Sequence, residues 1–285
     1  MKILITGSTG FVGRHLIPIL LDRGHRILEL TRNEERSYEL YQNRTSKFDL
    51  TQDQQSLKAA IADFEPDAAI HLAAFLTSAD DYQTLNKLLE SNIQFFCRVL
   101  DALKDSAIKL FVNTGTFAEY AQGNGILNPA YLYAATKTAS RAFLDYYSAT
   151  GGYKQVTVVP YTVYGGNDSQ KKIIDLIHDS LDSNTPLDLS PGNQVLDFIH
   201  VNDVANFYLH LIESVDLLQS KTIFQLGTGK GTTIRELAKI IEQKTGKVAN
   251  INWGGKPYRP SDVMYAVADV AELRKINWEA KCLMQ

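Results

Sequence analysis

The sequence predicts an α/β fold: a doubly wound parallel sheet with helices on both faces, followed by a smaller α+β lobe toward the carboxyl end. Three observations predict it. Short β-branched or leucine-rich runs alternate with amphipathic stretches through the first half of the chain, and parallel strands require such crossovers because each connection must pass back over the sheet. The first strand runs directly into a glycine-rich turn that opens the first helix. After Tyr164-Gly165-Gly166 the alternation gives way to shorter extended pieces.

The elements follow in order. Lys2–Thr6, Arg26–Thr31, Ala68–Leu72, Lys109–Thr114 and Gln155–Pro160 read as buried strands. Between them, Val12–Arg23, Gln54–Phe64, Thr84–Lys104 and Ala134–Thr150 repeat apolar residues at helical spacing. Pro18 lies inside the first of these helices and removes a backbone donor, so a local bend is expected there. Further on, a helix over about Lys171–Ser183 leads to two extended pieces, Leu187–Ser190 and Val195–His200, separated by the turn sequence Pro191-Gly192-Asn193. Asp203–Ser214 reads as helix and Thr222–Leu226 as another buried strand. The final helix, Ile234–Lys244, starts at Thr233 with Glu236 three residues on, the capping-box pattern. The expected organisation is a cofactor-binding domain over 1–164, with 197–228 returning to it, and a substrate lobe from 165–196 and 229–285. A cleft between the two is the default place for a ligand.

Composition narrows the functions. The chain has 285 residues, with 29 Lys plus Arg against 32 Asp plus Glu, a net charge of −3. That balance gives no basic excess for nucleic acid. Hydrophobic residues at 45% and charged residues at 21% support a folded core rather than disorder. Apolar runs are broken well short of the roughly 18 residues that a membrane span needs. The run after Lys2 meets Gly7 too soon for a signal-peptide core. No membrane partner is expected, and the expected location is cytoplasmic. Cys97 and Cys282 form neither a disulfide framework nor a zinc site, and the histidines show no metal spacing, so no metal is expected. Gly227–Thr233 is glycine-rich but lacks the Gly-Lys-Ser/Thr of a nucleotide-triphosphate loop, and reads as a strand-to-helix turn.

Thr6-Gly7-Ser8-Thr9-Gly10-Phe11-Val12-Gly13 joins the first strand to the first helix. Glycines at this spacing allow a tight turn, close approach of a pyrophosphate to backbone amides, and close helix–strand packing. A Gly-x-x-Gly-x-x-Gly string arises roughly 0.07 times by chance in a chain of this composition, so its strand–turn–helix setting marks a dinucleotide site. Gly7, Thr9, Gly10, Phe11, Val12 and Gly13 are the candidate cofactor contacts. The second strand ends in Thr31-Arg32 rather than in a carboxylate. An acidic residue there would hold the ribose 2′-hydroxyl of NAD, whereas an Arg accommodates the 2′-phosphate of NADP. Glu29, the rival, falls inside the strand. NADP is therefore expected first and NAD second.

Tyr133 and Lys137 stand at i and i+4, on one face of a helix. A cation beside a phenol lowers its pKa, so Tyr133 is expected to serve as an acid or base near neutrality. Thr116, in the loop after the strand ending at Thr114, could orient a carbonyl. The plain alternative is a surface Tyr, a solvated Lys and a Thr closing a turn.

Taken together, Thr6–Gly13, Asp49-Leu50, His71-Leu72-Ala73-Ala74, Asn92, Thr116, Tyr133-x-x-x-Lys137, Val163-Tyr164-Gly165 and Asp197–Asp203 carry a resemblance. Over nearly its whole length the chain resembles an extended short-chain dehydrogenase/reductase of the nucleotide-sugar-modifying (NAD-dependent epimerase/dehydratase) family, with its Rossmann fold. The resemblance implies that Asp49 and Leu50 lie at the adenine. It implies that Leu72, Ala73 and Ala74 line the cofactor, that Asn92 and Thr114 belong to the same site, and that Pro160 flanks the nicotinamide. Tyr133 would exchange a proton with the sugar oxygen, Lys137 would bind the nicotinamide ribose, and Thr116 would hold the carbonyl. Thr162, Arg259 and Asp262 would contact substrate, the last two at a nucleotide diphosphate and ribose.

Departures from the family pattern matter equally. Dehydratases carry Asp-Glu directly after the catalytic Thr, where this chain has Phe117-Ala118. Many relatives place Arg before the Asp-Phe-Ile segment to grip the diphosphate, and this chain has Leu196. Relatives also run into a further helix where this chain has Glu279–Gln285. Glu90-Ser91-Asn92-Ile93, Gly227–Gly231 and Met264–Ala268 are similar to the CDP-abequose and CDP-paratose synthase group of NADPH-dependent 4-ketoreductases. The expected activity is NADPH-dependent reduction of a nucleotide-linked 4-keto-6-deoxyhexose, with a nucleotide-sugar as small-molecule partner and a homodimer as an admissible assembly. The alternatives are an NAD-dependent UDP-sugar 4-epimerase and a non-enzymatic NADP-sensing regulator.

Overall fold

In the computed structural model, which describes residues 1–123, 125–166, 168 and 171–282, strands and helices alternate from the first residues onward. β1 (Lys2–Thr6), β2 (Arg26–Thr31) and β3 (Ser46–Asp49) build one half of a sheet. β4 (Ala68–His71), β5 (Leu110–Thr114), β6 (Lys154–Pro160) and β10 (Thr222–Leu226) build the other. The spatial order is β10-β6-β5-β4-β1-β2-β3, with every pair parallel. The order reverses between β1 and β4, which opens a crevice at the carboxyl ends of those strands, the usual ligand position in an open α/β sheet.

Both faces of this sheet are covered, which is why its strands read as nearly continuous apolar runs. Ile3 and Ile5 of β1 face the helices α1 (Phe11–Asp22) and α8 (Val201–Glu213), packing with Leu16, Ile17, Phe207 and Leu211. Leu4, between them in sequence, faces the opposite side with Leu57 of α3 (Gln54–Phe64) and Phe96 and Leu100 of α5 (Phe95–Leu103). This is the period-two alternation of a strand. Pro18 lies inside α1, which continues past it to Asp22.

Two stretches differ from expectation. The segment after Arg32 forms α2 (Glu34–Tyr41), capped by Asn33 Oδ1 accepting from the Arg36 N–H at 2.8 Å, and then β3. β3 is an edge strand whose one buried residue is Phe48, so it lacks the apolar run that revealed the other strands. Thr84–Lys104 is not one helix. It divides into α4 (Tyr82–Leu89), a π-turn over Glu90–Gln94, and α5. Such bulges are common at functional sites.

A second, smaller layer is centred on β9 (Val195–His200). It pairs with β7 (Thr162–Tyr164), β11 (Gly231–Thr233) and β13 (Tyr265–Ala266). β8 (Leu187–Leu189) pairs with β12 (Ile251–Trp253). The helices α7 (Ile173–Ser180) and α9 (Ile234–Thr245) close its core around Ile177, Phe198, Leu237 and Ile241. The capping box at Thr233 is formed: its hydroxyl accepts from the Glu236 N–H at 3.0 Å and Glu236 Oε2 accepts from the Thr233 N–H at 2.8 Å. Within 197–228, α8 and β10 pack with the large sheet while β9 belongs to the small one. Positions 167, 169, 170 and 283–285 of the lobe ranges lie outside the described residues. α10 (Ala271–Lys275) ends the regular structure. Among the described residues no helix is long and apolar enough to cross a membrane, and no cluster could hold a metal ion.

Candidate active site

The glycine turn sits at the reversal between β1 and β4. Gly7 has φ +72°, and a Cβ there would lie 2.6 Å from the Ala73 N and 2.8 Å from the Leu72 carbonyl carbon. A Cβ on Gly13 would lie 2.4 Å from the Ser8 carbonyl oxygen. Both positions therefore require glycine against rigid backbone. Gly10 is exposed and, as the N-cap of α1, offers no side chain to the first turn. Phe11 and Val12 amides find no backbone acceptor among the described residues. Tyr41 supports the turn from below, its hydroxyl donating to the Ser8 carbonyl at 2.6 Å. A cradle that side chains would fill, with a helix amino end left open, fits the pyrophosphate of a dinucleotide.

At the end of β2 the two rivals separate. Glu29 is fully buried and accepts from the hydroxyls of Ser37 at 2.7 Å and Thr45 at 2.5 Å, tying β2 to α2 and to the residue before β3. Both hydroxyls reach its Oε1, and its Oε2 is buried with no hydrogen-bond partner among the described residues. Arg32 is exposed at the strand end, and the Thr31 hydroxyl accepts from the Asn33 N–H at 3.1 Å. Asp49 lies beside Thr31 in the β2–β3 register. Its carboxylate accepts from the Thr51 N–H at 2.9 Å and hydroxyl at 2.7 Å, which hold it below the usual carboxylate range. Leu50 packs on the core, and Arg98 of α5 donates to the carbonyls of Leu50 at 2.9 Å and Gln52 at 2.5 Å. Arg98 is thus a support for the implied adenine loop that sequence reasoning did not single out.

Across the crevice, the exit of β4 is held from two sides. The Thr6 hydroxyl accepts from the Ala73 N–H at 3.2 Å and bonds His71 Nδ1 at 2.9 Å. Burial, with the Lys137 ammonium nearby, pushes His71 well below its ordinary pKa, so it is a neutral structural group. Leu72 is half-buried and Ala74 exposed. Asn92, in the π-turn, is buried. Its Oδ1 accepts from the Phe75 N–H at 2.8 Å, and its Nδ2 donates to the Phe75 carbonyl at 3.1 Å and the Thr136 hydroxyl at 3.0 Å. Its side chain is occupied by protein partners, so it positions the segment after β4.

Tyr133 and Lys137 lie on α6 (Leu132–Gly151), both buried. The expected lowering of the Tyr133 pKa is not found. Burial raises it first, and Tyr131, Glu119 and Tyr208 raise it further. Burial also lowers Lys137 to about 8, opposed by Glu119 and aided by Arg141. Burial dominates at each group, so Tyr133 is a protonated phenol at neutral pH. Thr116, buried at the entry of a 3-10 turn (Phe117–Glu119), receives the Ala118 N–H at 3.3 Å, and its own N–H donates to Glu119 Oε1 at 2.9 Å. Phe117 stacks on Tyr161 with ring centroids 5.8 Å apart, and Ala118 is buried, so no acid–base pair follows Thr116 directly. The Thr114 hydroxyl is paired with the Tyr208 hydroxyl at 2.6 Å. Pro160, half-buried, ends β6, and Thr162 Oγ1 is buried with no hydrogen-bond partner.

The implied substrate end is more open. Arg259 is exposed. The Asp262 carboxylate accepts from the Arg259 N–H at 2.9 Å, closing a local turn rather than gripping the guanidinium. Leu196 packs among apolar residues of the lobe. The Asp197 carboxylate next to it is buried and accepts from the N–H groups of Thr228, Gly229 and Ala268 and from the Thr228 hydroxyl. Sequence reasoning missed this role; the glycines at 227 and 229 were its signal. Leu76, Thr77, Ser78 and Tyr131 line an open cavity of about 360 Å³, and the Tyr131 ring stacks on Tyr133 at 6.1 Å.

Known proteins resemble the chain over nearly its whole length. The chain is 29% identical over 270 residues to the CDP-abequose synthase of Yersinia pseudotuberculosis, covering 93% of this chain and 91% of that one. It is 24% identical over 284 residues to the CDP-abequose synthase of Salmonella typhimurium, covering 97% and 92%. Its fold matches the crystal structure of the Thermus thermophilus UDP-glucose 4-epimerase in complex with NAD, with a TM-score of 0.84 and 23% identity over 100% of this chain and 96% of that one. The family model described as "NAD dependent epimerase/dehydratase family" matches residues 3–227. The chain belongs to that family and is an NAD(P)-dependent enzyme of the extended short-chain dehydrogenase/reductase type.

Proposed function

We propose that this chain reduces the ketone of a nucleotide-linked 4-keto-6-deoxyhexose with NADPH. The observation that carries the reading is the end of β2. The carboxylate of Glu29 is buried against Ser37 and Thr45, while Arg32 stands exposed where a 2′-phosphate would lie. A cofactor carrying that phosphate suits net reduction. The likeness to CDP-abequose synthases over nearly the whole chain supports a CDP-sugar as the first substrate to try.

In this reading the amides at Gly7–Gly13 hold the pyrophosphate, Thr31 and Arg32 the adenosine phosphate, and Lys137 the nicotinamide ribose. Thr162, Arg259 and Asp262 lie on the substrate side. NADPH supplies the hydride to the ketone carbon. Burial keeps Tyr133 protonated, and its O–H gives a proton to the ketone oxygen while the Thr116 hydroxyl donates a hydrogen bond to the same oxygen. The phenolate left on Tyr133 recovers its proton from solvent, and Lys137 stabilises it in the interval. The products are an alcohol and NADP+.

Loss of reduced-cofactor absorbance with CDP- or dTDP-4-keto-6-deoxyglucose tests this reading. NADPH is expected to outperform NADH, and Tyr133→Phe is expected to lower kcat by about 10²–10⁴-fold. No cofactor oxidation with any keto-sugar nucleotide would sink it. The second reading, a UDP-sugar 4-epimerase, draws on the fold match to an epimerase holding NAD. It requires retained NAD and no net cofactor consumption, so the same assay separates the two. A cofactor-sensing regulator would bind NADPH without any turnover.

A further inference from the structure

Glu119 has no part in the reaction just described, although it is fully buried beside it. Its Oε1 accepts the Thr116 N–H at 2.9 Å. Its Oε2 accepts the Thr138 hydroxyl at 3.1 Å and lies 2.9 Å from Arg141 Nη2. Arg141 also donates from Nη1 to the Tyr120 hydroxyl at 3.0 Å. Thr138 and Arg141 lie on α6, one residue and four residues beyond Lys137. One carboxylate therefore bridges the Thr116 turn and the helix that carries Tyr133 and Lys137. The backbone makes room for it: a Cβ on Gly115 would lie 2.5 Å from Glu119 Oε1 and 3.3 Å from Arg141 Nη2.

We propose that Glu119, paired with Arg141, is a positioning residue that fixes the Thr116 turn against α6 and so sets Thr116 relative to Tyr133 and Lys137. The proposal rests on the reading of those three as the reacting set. Only a carboxylate serves this place, because it must accept a backbone N–H on one oxygen and a hydroxyl on the other while its charge pairs with the Arg141 guanidinium. An amide would turn its NH₂ toward one of those donors. The charge also bears on the site. Glu119 acts on Tyr133, Lys137 and Arg141 of α6; Tyr131, at the entry of α6, and Tyr208 of α8 act on Tyr133, and Tyr120 of its own turn bonds Arg141. Glu119 favours the protonated forms of both Tyr133 and Lys137. Arg141 opposes it at Lys137, while Tyr131 and Tyr208 reinforce it at Tyr133.

The test compares wild type, Glu119→Gln and Glu119→Gln/Arg141→Met. In Glu119→Gln, kcat is expected to fall about 10- to 100-fold with KM nearly unchanged. The Lys137 pKa, followed by NMR of ¹³C-lysine-labelled apoprotein, is expected to fall, since Glu119 raises it in wild type. The amide of Thr116 is expected to exchange faster. The double variant removes both buried charges and is expected to regain melting temperature without regaining kcat. A merely structural role predicts that the two recover together, and that result overturns the proposal, as does an unchanged Lys137 titration in Glu119→Gln. If wild type reduces no ketone, the reaction reading fails by itself. The Lys137 titration and Thr116 exchange need no substrate and still decide the role of Glu119.

Discussion

The turns Gly7–Gly13 and Gly227–Gly231 each follow a strand of the large sheet, and each carries glycines where a side chain would collide. At the first, the collision is with backbone: Ala73 N at 2.6 Å from a Gly7 Cβ and the Ser8 carbonyl at 2.4 Å from a Gly13 Cβ. At the second, a Gly227 Cβ would lie 2.4 Å from the carboxylate of Asp197. The second turn has its own anion. Asp197 accepts from the amides of Thr228 and Gly229 at 2.9 and 2.8 Å, so those donors are satisfied within the chain. Among the described residues no carboxylate accepts from the amides of the first turn. Two glycine-rich segments thus differ by one long-range carboxylate, which occupies the donors of the second turn and not those of the first.

Removing the internal anion should give the largest effect. Asp197→Ala leaves several buried donors unmatched, at a cost of about 4 kcal/mol, and should lower the melting temperature by on the order of 10 °C. Cofactor affinity of the folded protein should be unchanged. Calorimetric melting with and without NADPH checks both halves; loss of cofactor binding at unchanged melting temperature would break the comparison. Gly13→Ala should act in the reverse sense. Displacing the turn by a few tenths of an ångström costs about 2–3 kcal/mol of binding, roughly a hundredfold in NADPH affinity measured by titration calorimetry.

A smaller effect sharpens the same crevice at its adenosine end. Arg32→Ser should reduce the preference for NADPH over NADH by about tenfold in kcat/KM, since one charge-assisted phosphate contact is lost. An unchanged ratio would move the 2′-phosphate contact elsewhere. Glu29→Gln should leave that ratio unaltered, because Glu29 faces Ser37 and Thr45.

The smallest effect is in pH dependence. Burial lowers Lys137 from 10.5 to about 8, so the fold disfavours its charged form. The resulting cost is present in full below about pH 8 and disappears as pH rises toward 10.5. Lys137→Met should therefore melt higher than wild type near neutrality, with the difference shrinking over that interval. In wild type, kcat/KM should decline above about pH 8 as the ammonium deprotonates. A melting difference independent of pH would show that folding leaves the Lys137 pKa unshifted.

The strands with continuous apolar runs were legible in sequence because burial on both faces leaves them little else to contain; β1, β2, β9 and β10 have the bounds that the residues suggest. β3 was not legible, since an edge strand with only Phe48 buried has no such run. The π-turn at Glu90–Gln94 was hidden because local spacing reads a helix across it. Asn92 inside it bonds the Phe75 backbone, 17 residues away, a partner that local spacing does not reveal. The glycine turn and the Tyr133–Lys137 pair were visible as local patterns. Glu119 and Asp197 were not, because their partners Arg141 and Thr228 come from other elements. The sign of the Tyr133 shift also escaped, because spacing shows that two groups share a helix face and not how deeply both are buried.

Hydride accounting tests the central claim most directly. With NADPH deuterated at the transferable position of its nicotinamide and a nucleotide-linked 4-keto-6-deoxyhexose, the account predicts one deuterium at the new carbinol carbon for each NADP+ formed. An unlabelled product, formed while the reduced cofactor is conserved, would contradict it.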